Sequence, residues 1–186
     1  EDRFATVDQD ELILYQSATL AATDRLRLPD TCRRVAFSPD GASLAYGGVK
    51  PLLGLARTAD LRDARSLPSL ANVESLAWSP DGTTLASGHT DGVIRLWDAA
   101  EGILAKELPG HPTTIRSLHY ARDGQTLIST CDAEGTRIWL TDWGRCLGRF
   151  PGLILDVSAD DRQIILCYPT EATPRFPTTF LETLSR

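Results

Sequence analysis

Residues 73–98 read VESLAWSPDGTTLASGHTDGVIRLWD. Leu76 and Trp78 flank Ala77, and alternation with period two marks a β-strand with one buried face. Ser79-Pro80-Asp81-Gly82 follows as a turn. Proline presets φ at the second position, and Asp-Gly supplies residues that tolerate positive φ. A second strand over Thr84–Ser87 and a third over Gly92–Asp98 come next. A more polar fourth strand, Ile103–Leu108, closes the unit.

The unit repeats. Ser38-Pro39-Asp40-Gly41 precedes it, Ala121-Arg122-Asp123-Gly124 follows, and Ser158-Ala159-Asp160-Asp161 is a worn copy. Each turn is entered from a short alternating run: Val35 and Phe37, Leu118 and Tyr120, Leu155 and Val157. Each is left by another strand: Ser43–Tyr46, Thr126–Thr130 and Gln163–Tyr168. Gly135–Leu140 and Arg145–Phe150 give the later unit its third and fourth strands. Four short strands recurring about every forty residues make one propeller blade. Residues 3–16 lie without a gap on 85–98, which places Tyr15, Ala56, Trp97 and Trp139 at one register position. The expectation is all-β: a partial blade at 1–30, full blades at 31–69, 70–109 and 110–151, and a partial blade at 152–186. Pro51 cannot donate to a ladder, so an irregular turn is expected there.

Leu85–Asp98 resembles the consensus of a WD40 repeat, and Gly110-His111 resembles the dipeptide that opens such repeats. The resemblance implies a WD40-type β-propeller segment and a structural relay. That relay joins a histidine before the first strand, a hydroxyl on the second, an aspartate in the next turn and the tryptophan of the third. Carried onto this chain it falls on Ser87, Asp91 and Trp97 in one unit and on His111, Ser129 and Trp139 in the next. Ser69 stands at the first unit's histidine position, and Ala133 at the second's aspartate position, with Asp132 beside it as a substitute.

Composition narrows the function. The net charge is −6, which is poorly suited to gripping a phosphate backbone, so no nucleic-acid partner is expected. There is no apolar run long enough to span a bilayer and no apolar leader, so no membrane partner is expected either. Cys32, Cys131, Cys146 and Cys167 form no zinc spacing and read as reduced thiols of a cytoplasmic protein. No phosphate loop or metal motif is present, so neither cofactor nor metal is expected. Ser87, His89 and Asp91 lie too close along one strand and turn to make a catalytic triad, and no catalytic residue is assigned.

A rigid disc with loop-covered faces suits a protein-interaction scaffold. The residues expected to touch a partner are Arg33, Glu74, His89, Thr114 and Arg116, all at strand starts or turns of one face. Trp143, in the turn Thr141-Asp142-Trp143-Gly144, is expected on the other face. His119, between Leu118 and Tyr120, faces the opposite way from both. The absence of methionine points to a segment of something longer, and the remaining blades are expected elsewhere in a longer polypeptide or in another chain. All the basic residues except Lys50 and Lys106 are arginines, as in proteins of GC-rich bacteria. The alternative function is a regulatory domain controlling an attached NTPase switch, kinase or caspase-like protease.

Overall fold

A computed structural model describes residues 3–49, 52–61, 63–157 and 164–167, the stretches 153–157 and 164–167 by backbone alone. Its strands are β1 Arg3–Asp8, β2 Glu11–Gln16, β3 Ala22–Arg27, β4 Cys32–Phe37, β5 Ser43–Gly48, β6 Leu53–Arg57 and β7 Arg65–Ser66. They continue with β8 Val73–Trp78, β9 Thr84–His89, β10 Val93–Asp98, β11 Leu104–Pro109 and β12 Ile115–Tyr120. The last are β13 Thr126–Cys131, β14 Gly135–Leu140, β15 Arg145–Phe150, β16 Leu153–Val157 and β17 Ile164–Cys167. The described residues contain no helix.

Three antiparallel four-stranded meanders, β4–β7, β8–β11 and β12–β15, lie between a three-stranded sheet, β1–β3, and the pair β16–β17. Consecutive sheets pack face to face, and β8 touches both β4 and β12, so the first strand of each meander lies innermost. This is the stacking that lets each sheet bury an apolar face it cannot bury alone. Separate core clusters fill the gaps. Leu12, Leu14, Leu44 and Tyr46 belong to one; Ala45, Val73, Leu85 and Trp97 to the next; Ala86, Ile94, Ile115 and Trp139 to the third.

The Ser-Pro-Asp-Gly turns are built alike. Ser38 and Ser79 donate their hydroxyls to Asp40 and Asp81 at 2.5 and 2.6 Å and accept the N–H of Ser43 and Thr84 at 2.9 Å. Gly41, Gly82 and Gly124 adopt φ near +70°, where any other residue is strained. In the third copy Ala121 has no hydroxyl, and Thr126 takes over the bond to Asp123 at 2.6 Å. The predicted Pro51 turn and the turn at 158–161 lie outside the described residues.

The fourth strands carry a second repeated device. Arg65 and Lys106 occupy the same register position, opposite Leu55 and Leu96. Each reaches into the next sheet and donates to the carbonyls of the turn joining its third and fourth strands. Arg65 bonds the carbonyls of Ala99 and Ala100, and Lys106 those of Thr141 and Asp142 at 2.8 and 2.6 Å. In the first sheet Asp24 holds that position, and Arg3 supplies the cation to the equivalent carbonyl of Thr58 instead. Charge-assisted bonds of this kind tie neighbouring sheets at their outer edge.

Candidate functional site

The interior of each sheet sorts structural residues from candidate contacts. In β12–β15, Trp139 donates its indole N–H to Ser129 Oγ at 2.8 Å, and His111 Nε2 lies 2.7 Å from the same oxygen. His111, Ser129 and Trp139 are all buried, as the relay requires.

In β8–β11 the histidine comes from elsewhere. Trp97 donates to Ser87 Oγ at 2.7 Å, and Ser87 Oγ lies 2.7 Å from Nε2 of His89. His89 Nδ1 lies 3.1 Å from the Ala71 carbonyl, which only accepts, so Nδ1 carries the proton and Nε2 accepts from Ser87. The bonds therefore run in one direction from Trp97 to Ala71. His89 is fully buried at the end of β9, not in an exposed rim turn, which corrects its assignment as a partner contact. Ser87 and His89 are two residues apart on one strand and so share a face, a signal that was present in the sequence. Ser69, at the expected histidine position, contacts His89 Nδ1 at 3.4 Å and the Ala71 carbonyl at 2.9 Å.

Burial holds both His89 and His111 down to a pKa of about 4, so both are neutral near pH 7. The Ala71 carbonyl opposes the shift in His89, whereas Arg137 adds to it in His111.

Asp91 does not join the relay. Its two oxygens bond Arg95 at 2.8 and 3.3 Å, and one also accepts the N–H of Val93 at 3.1 Å. Asp132 does not substitute for the missing aspartate either: it pairs with Arg116 at 2.7 Å on the exposed surface. In β4–β7 the set is apolar. Leu28, Tyr46 and Ala56 occupy the three register positions, and Gly54 leaves room for the Tyr46 ring.

The inner strands carry the candidate site. The pairing of β4 with β5 skips Arg33, that of β8 with β9 skips Glu74, and that of β12 with β13 skips Arg116. Each is the extra residue of a β-bulge, which turns its side chain away from the regular alternation. The same offset falls at Leu155 in β16. Arg33 and Arg116 are about half exposed. Glu74 is not: it is 8% exposed, with Arg33 and Arg34 at 3.4 and 3.7 Å from its carboxylate. Arg34 Nε also bonds the Glu74 carbonyl at 2.6 Å. Glu74 thus anchors two arginines from the neighbouring strand and is corrected from contact to support. Thr114 is half-buried just before β12.

Trp143 is 82% exposed in the turn between β14 and β15, at the opposite end of the sheets from the bulges. His119 is half-buried. Cys32 and Cys131 are buried and Cys146 half-buried, all as free thiols; the side chain of Cys167 lies outside the description. Among the described residues no cluster of ligands could hold a metal ion, and no helix is long and apolar enough to cross a membrane.

Residues 65–98 and 102–139 match the family model of the WD domain, G-beta repeat, known as WD40. The fold is similar to that of a chain in a solved structure described as "Crystal Structure of Mitotic Checkpoint Complex". The TM-score is 0.73 at 20% identity, over 80% of this chain and 48% of that one. This chain thus spans about half the length of the solved chain it resembles. The sheet order and these matches agree on the fold: the chain is an all-β array of four-stranded antiparallel sheets, similar to a WD40 propeller, and residues 65–98 and 102–139 match the WD40 repeat model.

Proposed function

We propose that this chain is a non-catalytic protein-interaction scaffold whose partner lies across the inner rim, on Arg33, Arg34 and Arg116, with Thr114 at the edge. WD40-type propellers generally serve as interaction scaffolds. The observation that carries the choice of surface is the bulge recurring at Arg33, Glu74 and Arg116 on three neighbouring inner strands. Bulges re-aim side chains without emptying the core. Here they set two half-exposed arginines on either side of a buried glutamate. Arginine is enriched among residues that dominate interface energy. Leu70, 81% exposed in the loop entering β8, adds an apolar contact at the same end.

The test is binding of the native partner to Arg33→Gln and Arg116→Gln. Reversing Arg33 to glutamate is a poor probe, because it sets a carboxylate against Glu74. Arg116→Gln is expected to weaken the complex at least tenfold while thermal stability moves by no more than about 0.5 kcal/mol, the usual scale for exposed changes. A complex indifferent to both substitutions overturns the assignment of this surface.

A further inference from the structure

The third strands of two neighbouring sheets carry a buried arginine at the same register position, Arg95 in β10 and Arg137 in β14. Their surroundings differ. Every nitrogen of the Arg95 guanidinium has an acceptor: Asp91 takes its two terminal nitrogens, and Glu107, directly opposite on β11, accepts from Nε at 2.9 Å. In the next sheet the residue matching Asp91 is Ala133, and the one matching Glu107 is Arg149. Among the described residues Arg137 keeps a single carboxylate, Glu134, at 2.5 Å. Among the described residues its Nε is buried with no hydrogen-bond partner, and so is Nδ1 of the adjoining His111.

Two things are wrong with this arrangement if nothing else binds. A buried guanidinium N–H without an acceptor costs more than a neutral donor would. Like charges directly opposite each other on adjacent strands also repel, and Arg137 faces Arg149 in that way. The charge balance has moved from one cation and two carboxylates around Arg95 to two cations and one carboxylate around Arg137. Arg149 is exposed, so the group that answers both faults can arrive from solvent.

We propose that Arg137 and Arg149 form a binding site for a carboxylate side chain of an acidic partner segment, which takes the place that Glu107 fills beside Arg95. The neighbouring sheet supplies the template for the ligand: a carboxylate oxygen on the arginine Nε, reached from the outer strand. The site lies on the third and fourth strands, apart from the inner-rim bulges, and stands whether or not that rim binds a partner.

The probe is a fluorescein-labelled peptide of four glutamates between glycines, titrated into the whole chain at low salt and followed by anisotropy. Arg149→Glu installs the internal carboxylate of the neighbouring sheet, and is expected to weaken binding at least tenfold and to raise the thermal midpoint by a few degrees. Arg145→Glu makes the same charge change on the exposed face of the same strand, and is expected to alter binding less than threefold. On the wild-type chain the Arg137 Nε–H resonance, assigned by its loss in Arg137→Lys, is expected to shift with the peptide and not with a glutamine analogue. Equal losses from Arg149→Glu and Arg145→Glu would mean bulk charge and overturn the site. So would saturation without movement of that resonance. A larger shift from inorganic phosphate at equal concentration would overturn the choice of a carboxylate.

Discussion

Ser87→Ala isolates what the interior relay contributes. The hydroxyl is fully buried and works in both directions: it accepts the Trp97 indole N–H at 2.7 Å and donates to His89 Nε2 at 2.7 Å. Removing it orphans one buried donor and one buried acceptor. Each unsatisfied buried group costs about 1–3 kcal/mol, and the missing oxygen leaves no space large enough for water to repair the loss. The expected destabilisation is about 2–4 kcal/mol, large beside the total stability of a domain of this kind. The assay is urea unfolding of the purified chain followed by tryptophan fluorescence, with the slope checked for constancy. Trp97→Phe, which deletes the N–H, completes a double-mutant cycle and should couple to Ser87→Ala by about 1–2 kcal/mol. A loss below about 0.5 kcal/mol for Ser87→Ala, or a cycle without coupling, would refute the directed chain from Trp97 to Ala71.

Acid should weaken the fold in two stages. His89 and His111 have folded pKa values of about 4, below the ordinary 6.5, so their stabilisation is present above pH 6.5 and lost as pH falls towards 4. At about 1.4 kcal/mol per unit this amounts to about 3 kcal/mol for each histidine, read from urea midpoints at pH 7 and 4.5. Below that, Asp40 and Asp81, held down by the hydroxyls of Ser38 and Ser79, lose their contribution as they protonate. Lys106→Met keeps the aliphatic stem and deletes the bonds to Thr141 and Asp142; about 1 kcal/mol should be lost in thermal unfolding. Trp97→Ala should cost about 3–5 kcal/mol by the same measurement, since the ring is fully buried.

The strands were legible because their signals are local. Alternation at Leu76 and Trp78 and the Asp-Gly turns each lie within a few residues, and β8 to β10 fall where those signals place them. Trp97, Ser129 and His111 were legible through the resemblance to WD40 repeats, which carries the relay onto those positions. His89 was not: its burial depends on the Ala71 carbonyl, 18 residues away in the chain. Glu74, expected from the sequence to touch a partner, is buried by ion pairs that are not legible locally, because a bulge leaves no mark in the hydrophobic pattern. Its partners Arg33 and Arg34 lie about forty residues away on another sheet. The clamps of Arg65 and Lys106 looked like ordinary polar positions on a fourth strand, since their acceptors are backbone carbonyls of the next sheet.

Because one meander is repeated, register-equivalent positions can be compared within a single chain. The problem of filling the sheet interior is solved three ways: by Leu28, Tyr46 and Ala56, by His89, Ser87 and Trp97, and by His111, Ser129 and Trp139. The first two sets are internally satisfied, whereas in the third His111 Nδ1 has no partner among the described residues. The change from Arg95 opposite Glu107 to Arg137 opposite Arg149 is of another kind. There the arginine is kept with one carboxylate, Glu134, where Arg95 has two, and among the described residues its Nε has no acceptor. Local rules broken without compensation are where sequences carry function. The alternation of Arg33, Glu74 and Arg116 is intermediate: Glu74 is compensated by its neighbours, but Arg33 and Arg116 keep half their surface in solvent. Ranked by uncompensated cost, the proposed Arg137–Arg149 site is the more specific of the two proposed surfaces, and the inner rim is the broader one.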